Sequence, residues 1–158
     1  MGTKGREIVG LDVNEVIEDL RSAYADEWLA SHGYSYMAKV VAGRTAARAI
    51  AAGLKHLVEE ELEHQDELAE RITTLGGKPP ATFQQITECA NAPFPDIPDD
   101  ETDIEDIIKT VVEAEQGAIE VYQNLAEKTQ GRDHLTYELA VHILAEEVEH
   151  EDEFEDIC

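Results

Sequence analysis

The sequence has few basic residues and no long apolar run, and each shortage excludes a class of protein. Twelve Lys and Arg residues stand against 36 Asp and Glu residues, which leaves a formal net charge of −24. A field of that sign repels a phosphate backbone, so we expect no nucleic-acid partner. No stretch approaches the roughly 20 apolar residues that span a bilayer, so we expect no membrane anchor either.

Cysteine is also scarce. Cys89 and Cys158 are too few for a disulfide framework and form no Cys-x-x-Cys metal motif. Residues 1–10 lack the apolar run of a signal peptide, and we therefore expect a cytoplasmic protein. The acidity exceeds what a cation-attracting interior requires. We interpret most of it as a halophilic acidic surface that keeps the protein solvated in high salt.

An acidic segment occurs twice in the chain, at residues 60–68 and 146–154. Each copy contains a Glu-x-x-His motif, Glu61 with His64 and Glu147 with His150. The i, i+3 spacing puts both side chains of a motif on one face of a helix. One such motif is weak evidence in an acidic helix, but two copies at matching positions indicate two related halves.

A lone glutamate precedes each motif by a similar distance, Glu27 before the first and Glu115 before the second. Each lone glutamate is followed seven residues later by a tyrosine, Tyr34 or Tyr122. The two halves therefore supply four carboxylates and two imidazoles, the inventory of a two-metal carboxylate site in a four-helix bundle. The tyrosines are either plain core residues, or they lie beside the ligands and serve to support them or to trap radicals.

Caps and periodicity predict an all-α bundle of four long helices in a single domain, residues 1–158, with an N-terminal tail at 1–11. Helix A starts at Asp12 and runs to about residue 41, and helix B covers about 45–75. Helix C starts at a Thr102-x-x-Glu105 capping box and reaches about residue 128; helix D runs from about Asp133 to the end. The long B–C crossover, roughly 76–102, carries a short helix near Phe83–Cys89.

The candidate ligands lie within the apolar stripe of each predicted helix rather than opposite it. Along helix C that stripe reads Ile104, Ile108, Val111, Glu115, Ala118, Tyr122 and Leu125. Other acidic residues of the repeats fall off the stripe and are expected to be solvated: Glu59, Glu63, Glu67, Glu149 and Glu153. The remaining histidines are expected at the surface or in structural roles: His32, His56, His134 and His142.

Converging buried carboxylates raise each other's pKa and need a counter-charge. Two divalent cations match four carboxylates and leave the neutral imidazoles as nitrogen donors. By symmetry, Glu61 and Glu147 would bridge the metals, and each metal would be completed by one lone glutamate and one histidine. Mixed carboxylate and imidazole donors favour iron or manganese, with zinc as a non-native occupant. The predicted ligands are Glu27, Glu61, His64, Glu115, Glu147 and His150.

These residues resemble the ferritin-like superfamily over nearly the whole chain. The order glutamate, Glu-x-x-His, glutamate, Glu-x-x-His looks like that of bacterioferritins. The short helix in the crossover, and a chain that stops before any fifth helix, look instead like Dps proteins. A bacterioferritin-type di-iron site in a Dps-type frame is similar to the Dps-like ferritins, or thioferritins, as is the segment Asp26-Glu27-Trp28-Leu29-Ala30.

The resemblance implies a homo-oligomeric cage, a dodecamer, that oxidises Fe(II) at two iron ions per subunit and stores the ferric product. Hydrogen peroxide or oxygen would be the oxidant, and the protein would protect the cell against oxidative damage. That group usually carries one cysteine just after the helix C glutamate and another further along the helix. Gly117 and Ala126 occupy those positions here, so a thiol-dependent step lacks its residues.

Two other functions stay open. The same bundle could serve a rubrerythrin-like peroxidase, a manganese catalase or another di-metal oxidase, without mineral storage. The absence of paired Cys-x-x-Cys motifs disfavours the first, the short chain disfavours the second, and an organic oxidase would need a substrate pocket. Alternatively, a metal-buffering or structural bundle would bind Fe(II) without oxidising it.

Overall fold

Six helices make up the regular structure of residues 3–43 and 45–157, the part of the chain that the computed structural model describes. They are α1 Thr3–Glu7, α2 Val13–Val40, α3 Thr45–Thr74, α4 Phe83–Cys89, α5 Ile104–Thr129 and α6 His134–Glu155. No strand occurs within these two ranges. The predicted all-α class is confirmed, and so is the short helix in the crossover. Cys158 lies outside the described residues.

The start of α5 differs from the prediction. Asp103, not Thr102, caps this helix, and its side chain accepts a 3.1 Å hydrogen bond from the backbone N of Asp106. Thr102 is engaged in the preceding turn, where its N and Oγ1 donate to Asp100 Oδ1 at 2.9 and 2.7 Å. A threonine already bonded in a turn is not free to cap the next helix.

The end of α3 is a Schellman motif formed by two glycines. Gly76 N donates to the Thr73 carbonyl at 3.0 Å, and Gly77 N donates to the Ile72 carbonyl at 2.9 Å. Gly76 has φ of 90°, which glycine adopts without strain. At Gly77 an added Cβ would lie 2.7 Å from Ile17 Cγ2, so close packing against α2 also requires glycine.

The four long helices pack as two antiparallel hairpins, α2 with α3 and α5 with α6. The long crossover between the hairpins carries α4, whose Ile86 is buried against Ala25 and Leu29 of α2. Two apolar clusters fill the bundle. One joins the first half of α2 to the second half of α3, and includes Leu20 and Ile72. The other lies toward the opposite end, around residues such as Leu54 and Val111. The predicted ligands fall between these clusters in every helix.

The predicted N-terminal tail contains α1 and is held to the bundle. Val9 is buried in the first apolar cluster, and Gly10 N donates a 2.7 Å hydrogen bond to the Arg132 carbonyl. These contacts join residues far apart in the sequence, so a local pattern did not reveal them. Among the described helices, none combines the length and hydropathy needed to cross a membrane.

Candidate metal centre

All six predicted ligands converge in the middle of the bundle. Glu27 comes from α2, Glu61 and His64 from α3, Glu115 from α5, and Glu147 and His150 from α6. Each is at most 2% exposed. They are buried because each residue occupies a core-facing position of an amphipathic helix, as the sequence pattern predicted. Packing the two hairpins against each other then brings four helices' donors to one point.

The donors form two groups that overlap. One contains Glu27, Glu61, His64 and Glu147, and the other contains Glu61, Glu115, Glu147 and His150. Within each group, one donor atom from every residue lies within 4.8 Å of the others. Glu61 and Glu147 belong to both groups, the arrangement expected of carboxylates shared by two neighbouring cations.

Both imidazoles turn Nδ1 toward the centre. His64 Nδ1 lies 3.2 Å from Glu147 Oε1 and 3.4 Å from Glu61 Oε2. His150 Nδ1 lies 3.4 Å from Glu115 Oε2 and 3.5 Å from Glu147 Oε2. Each Nδ1 therefore faces the glutamate of its own motif, whereas the second carboxylate differs between the halves, Glu147 for His64 and Glu115 for His150.

Several of these buried atoms lack a hydrogen-bond partner among the described residues. They are Glu115 Oε2, both carboxylate oxygens of Glu147, and His150 Nδ1. Buried polar atoms are nearly always satisfied in folded proteins, and orphans need an explanation. These four atoms without hydrogen-bond partners lie in the same centre, and divalent cations would satisfy them, because such cations accept lone pairs from oxygen and nitrogen together.

Two glutamates that the sequence did not single out orient the imidazoles. His64 Nε2 lies 2.8 Å from Glu146 Oε2, and His150 Nε2 lies 2.8 Å from Glu60 Oε2. Each glutamate therefore reaches across to the histidine of the opposite hairpin. Such outer carboxylates fix the ring orientation and the tautomer of a metal-binding histidine. Their position directly before each Glu-x-x-His, in both repeats, was the available signal.

The paired tyrosines also cross between hairpins. Tyr34 donates a 2.5 Å hydrogen bond to Glu115 Oε1, and Tyr122 donates one to Glu27 Oε1. Burial, followed by the nearby carboxylates, raises the pKa of both phenols well above the usual value. The two phenols therefore keep their protons and donate hydrogen bonds to the two lone glutamates, in addition to being core residues.

Burial and neighbouring charges shift the pKa values of the centre's glutamates in different directions. Burial, followed by the charges of Glu27 and Glu147, raises the pKa of Glu61 well above normal. Burial also raises the pKa of Glu115, to about 8. For Glu147 the burial penalty is outweighed by the nearby imidazoles of His150 and His64, and its pKa falls to about 2.

The imidazoles shift the opposite way from a simple buried histidine. Burial alone would lower their pKa, but close contacts with the carboxylates outweigh it, because a nearby negative charge favours the protonated ring. The pKa of His150 rises to about 10 through Glu115 and Glu147. The pKa of His64 rises further, through Glu147, Glu27 and Glu61. Protons thus bind in the centre where cations would also bind.

The remaining histidines, His32, His56, His134 and His142, are exposed, as predicted. Two of them contact the outer glutamates. His56 Nε2 lies 3.6 Å from Glu60 Oε2, and His142 Nε2 lies 3.7 Å from Glu146 Oε2. Cys89 is half-buried on α4, away from the centre, and its Sγ accepts a 3.7 Å hydrogen bond from Arg21.

A family model described as a ferritin-like domain matches residues 17–158. The chain belongs to the ferritin-like family. This ferritin-like protein is 34% identical over 155 residues to the DNA protection during starvation protein of Pyrococcus furiosus, covering 96% of this chain and 80% of that protein. Its resemblance to the Dps-like ferritins is thereby confirmed.

Solved structures share this fold. The dodecameric thioferritin of Bacteroides fragilis, a bacterioferritin-related protein, is similar at 34% identity and a TM-score of 0.93, over 99% of this chain and 92% of that chain. The bacterioferritin of Desulfovibrio desulfuricans, whose structure contains a diiron site, shares the fold at 24% identity. Its TM-score is 0.76, over 99% of this chain and 82% of that chain.

Proposed function

We propose that this ferritin-like protein binds two Fe(II) ions per subunit at the candidate centre, oxidises them and stores the ferric product in a dodecameric cage. The observation that carries the proposal is the pair of overlapping donor groups that share Glu61 and Glu147. Four carboxylates balance the charge of two divalent ions, and two imidazoles add one nitrogen to each. The cage is inferred from the dodecameric relative, which resembles this chain over 99% of its length.

The chemistry follows from the donor set. Two Fe(II) ions supply the two electrons that reduce hydrogen peroxide to water. Carboxylates stabilise the higher charge of Fe(III) better than neutral donors do, because the interaction is Coulombic in a buried site. Glu60 and Glu146 keep the imidazoles aligned, and Tyr34 and Tyr122 restrain Glu115 and Glu27. We include manganese and zinc as competing occupants of the same donors.

Protection would come from removing Fe(II) and peroxide, not from coating DNA. A formal net charge of −24 opposes contact with a phosphate backbone. This proposal therefore differs from a nucleic-acid-binding role, although a 34% identical relative is named for DNA protection.

The test removes a shared ligand. Glu61→Ala and Glu147→Ala are expected to abolish rapid Fe(II) oxidation with peroxide or oxygen while assembly persists, since losing a carboxylate also relieves repulsion in the centre. The exposed neighbours Glu63 and Glu149 provide matched controls, and their alanine variants should oxidise Fe(II) at the parental rate. Ferric absorbance gives the rate, and size-exclusion chromatography with light scattering gives the mass.

Unchanged oxidation in both ligand variants would refute the assignment. A particle of one or two subunits would refute the cage but leave the oxidation chemistry standing, in favour of a rubrerythrin-like peroxidase or oxidase. Stoichiometric Fe(II) binding without oxidation would instead favour a metal buffer.

A further inference from the structure

A cavity of about 510 Å³ opens between α2, α5 and the crossover residues 91–96. Five of its lining residues are buried and belong to the candidate centre and its tyrosines: Glu27, Glu61, Glu115, Tyr34 and Tyr122. Small-molecule sites typically have volumes of roughly 300–1,000 Å³. The space above the centre is therefore far larger than hydrogen peroxide or oxygen requires.

The walls of this cavity are apolar, whereas its floor is polar. Leu29 and Ala30 of α2 and Ala114, Ala118 and Val121 of α5 line it, and the crossover adds proline and phenylalanine side chains. Asp26, Asn91 and Thr110 add polar groups to this lining. Exposed polar residues line its rim: Asp96, Glu113, Glu120 and Asn124. A hydrated ion gains nothing from apolar walls. An organic molecule with one polar, reducible end suits both surfaces.

We propose that this cavity binds organic hydroperoxides, ROOH, as a further class of oxidant. The O–O group would lie on the floor beside the bound Fe(II), and R would pack on the apolar walls. The inference rests on the proposed function of the centre. The O–O bond breaks with two electrons from two Fe(II) ions and two protons from solvent, giving ROH, H₂O and two Fe(III).

Two positions on one wall allow the cavity to be filled without touching a ligand. Gly117 and Val121 both line the cavity, one helical turn apart on α5. A Cβ added at Gly117 would meet no atom within 4 Å, so a larger side chain can be built there without a backbone clash. Gly5 of α1 is likewise open and does not line the cavity, so Gly5→Phe is the matched control.

The experiment compares cumene hydroperoxide with hydrogen peroxide on the assembled protein, loaded anaerobically with Fe(II). The parent and Gly5→Phe should oxidise Fe(II) with both, converting cumene hydroperoxide to its alcohol. Gly117→Phe and Val121→Phe should lose about tenfold or more with cumene hydroperoxide, because a misfit of a single methylene in an apolar pocket already costs about 10- to 200-fold. With hydrogen peroxide both variants should keep the parental rate. An independent readout is binding of the product alcohol, 2-phenylpropan-2-ol, to metal-free protein by NMR, which both Phe variants should lose.

A parent that reacts with hydrogen peroxide but neither reacts with cumene hydroperoxide nor binds the alcohol would overturn this inference alone. Equal slowing with both oxidants in the Phe variants would also overturn it, since the cavity would then be a general entry path. A parent inert to every oxidant would overturn the proposed function together with it.

Discussion

Binding of two Fe(II) ions should release about three protons or more per subunit at pH 7, because ligands must lose their protons to coordinate. The pKa of Glu115 is about 8, so this carboxyl is largely protonated at that pH, and the pKa of Glu61 is raised well above normal by burial and by the charges of Glu27 and Glu147. The pKa of His150 is about 10 and that of His64 is higher still, so both imidazoles carry a second proton. Glu147, with a pKa of about 2, is already ionised.

Strictly anaerobic titration measures this number directly. Fe(II) is added to metal-free protein in weak buffer, and a pH indicator counts protons per metal. Release should fall as the starting pH is raised past about 8 and then about 10, when Glu115 and His150 have already lost their protons. Apparent affinity should rise over the same range, because fewer protons then compete with the metal.

Two variants test whether the released protons come from the predicted ligands. Replacing His150 by Gln should lower the release by about one proton, because one titrating ligand is gone. The exposed Glu63, replaced by Gln, should leave it unchanged. Release below about one proton per subunit in the parent would show that these side chains do not exchange protons for metal, and the assignment of ligands would fail.

Two further predictions concern stability. The metal-free protein should lose thermal stability as pH rises, because protons bind His150 and Glu115 more tightly in the folded state. The stabilisation from His150 is complete below its unfolded pKa of 6.5 and disappears as the pH rises through its folded pKa of about 10. Glu115 contributes a further loss of stability between pH 4.5 and about pH 8. A constant melting temperature between about pH 6 and pH 10 would contradict this sign. Secondly, Asp133→Ala should lower the free energy of unfolding, measured with urea, by about 3–5 kcal/mol, because it leaves the buried Arg71 guanidinium without its carboxylate partner. In the parent, Arg71 donates to both oxygens of Asp133 at 2.8 Å. The exposed Arg132→Ala should change stability by less than about 0.5 kcal/mol, and a similarly small effect at Asp133 would disprove the need for the pair.

The sequence alone was sufficient to predict the four long helices, the short crossover helix and the candidate ligands, because their signals are local, whereas α1 was missed. Asp12 and Asp133 cap α2 and α6, where helices A and D were predicted to start, and α3 ends close to the predicted end of helix B. A Glu-x-x-His motif is a property of one helical turn, and its duplication supplied the second half of the centre. Identifying the core-facing stripe needed only the period of the helix. Whether those six residues bind iron remains a prediction.

Only the tertiary structure decided how the two hairpins meet. The contacts that cross between them, from Glu60 to His150, from Tyr122 to Glu27 and from Arg71 to Asp133, join residues 62 to 95 positions apart. Such pairings depend on the axial register and rotation of whole helices, which no local pattern encodes. The cavity beside α5 has the same origin, since it exists only where the returning crossover leaves a gap against two helices. Sequence periodicity determines which face of a helix is buried, whereas packing determines what that face meets.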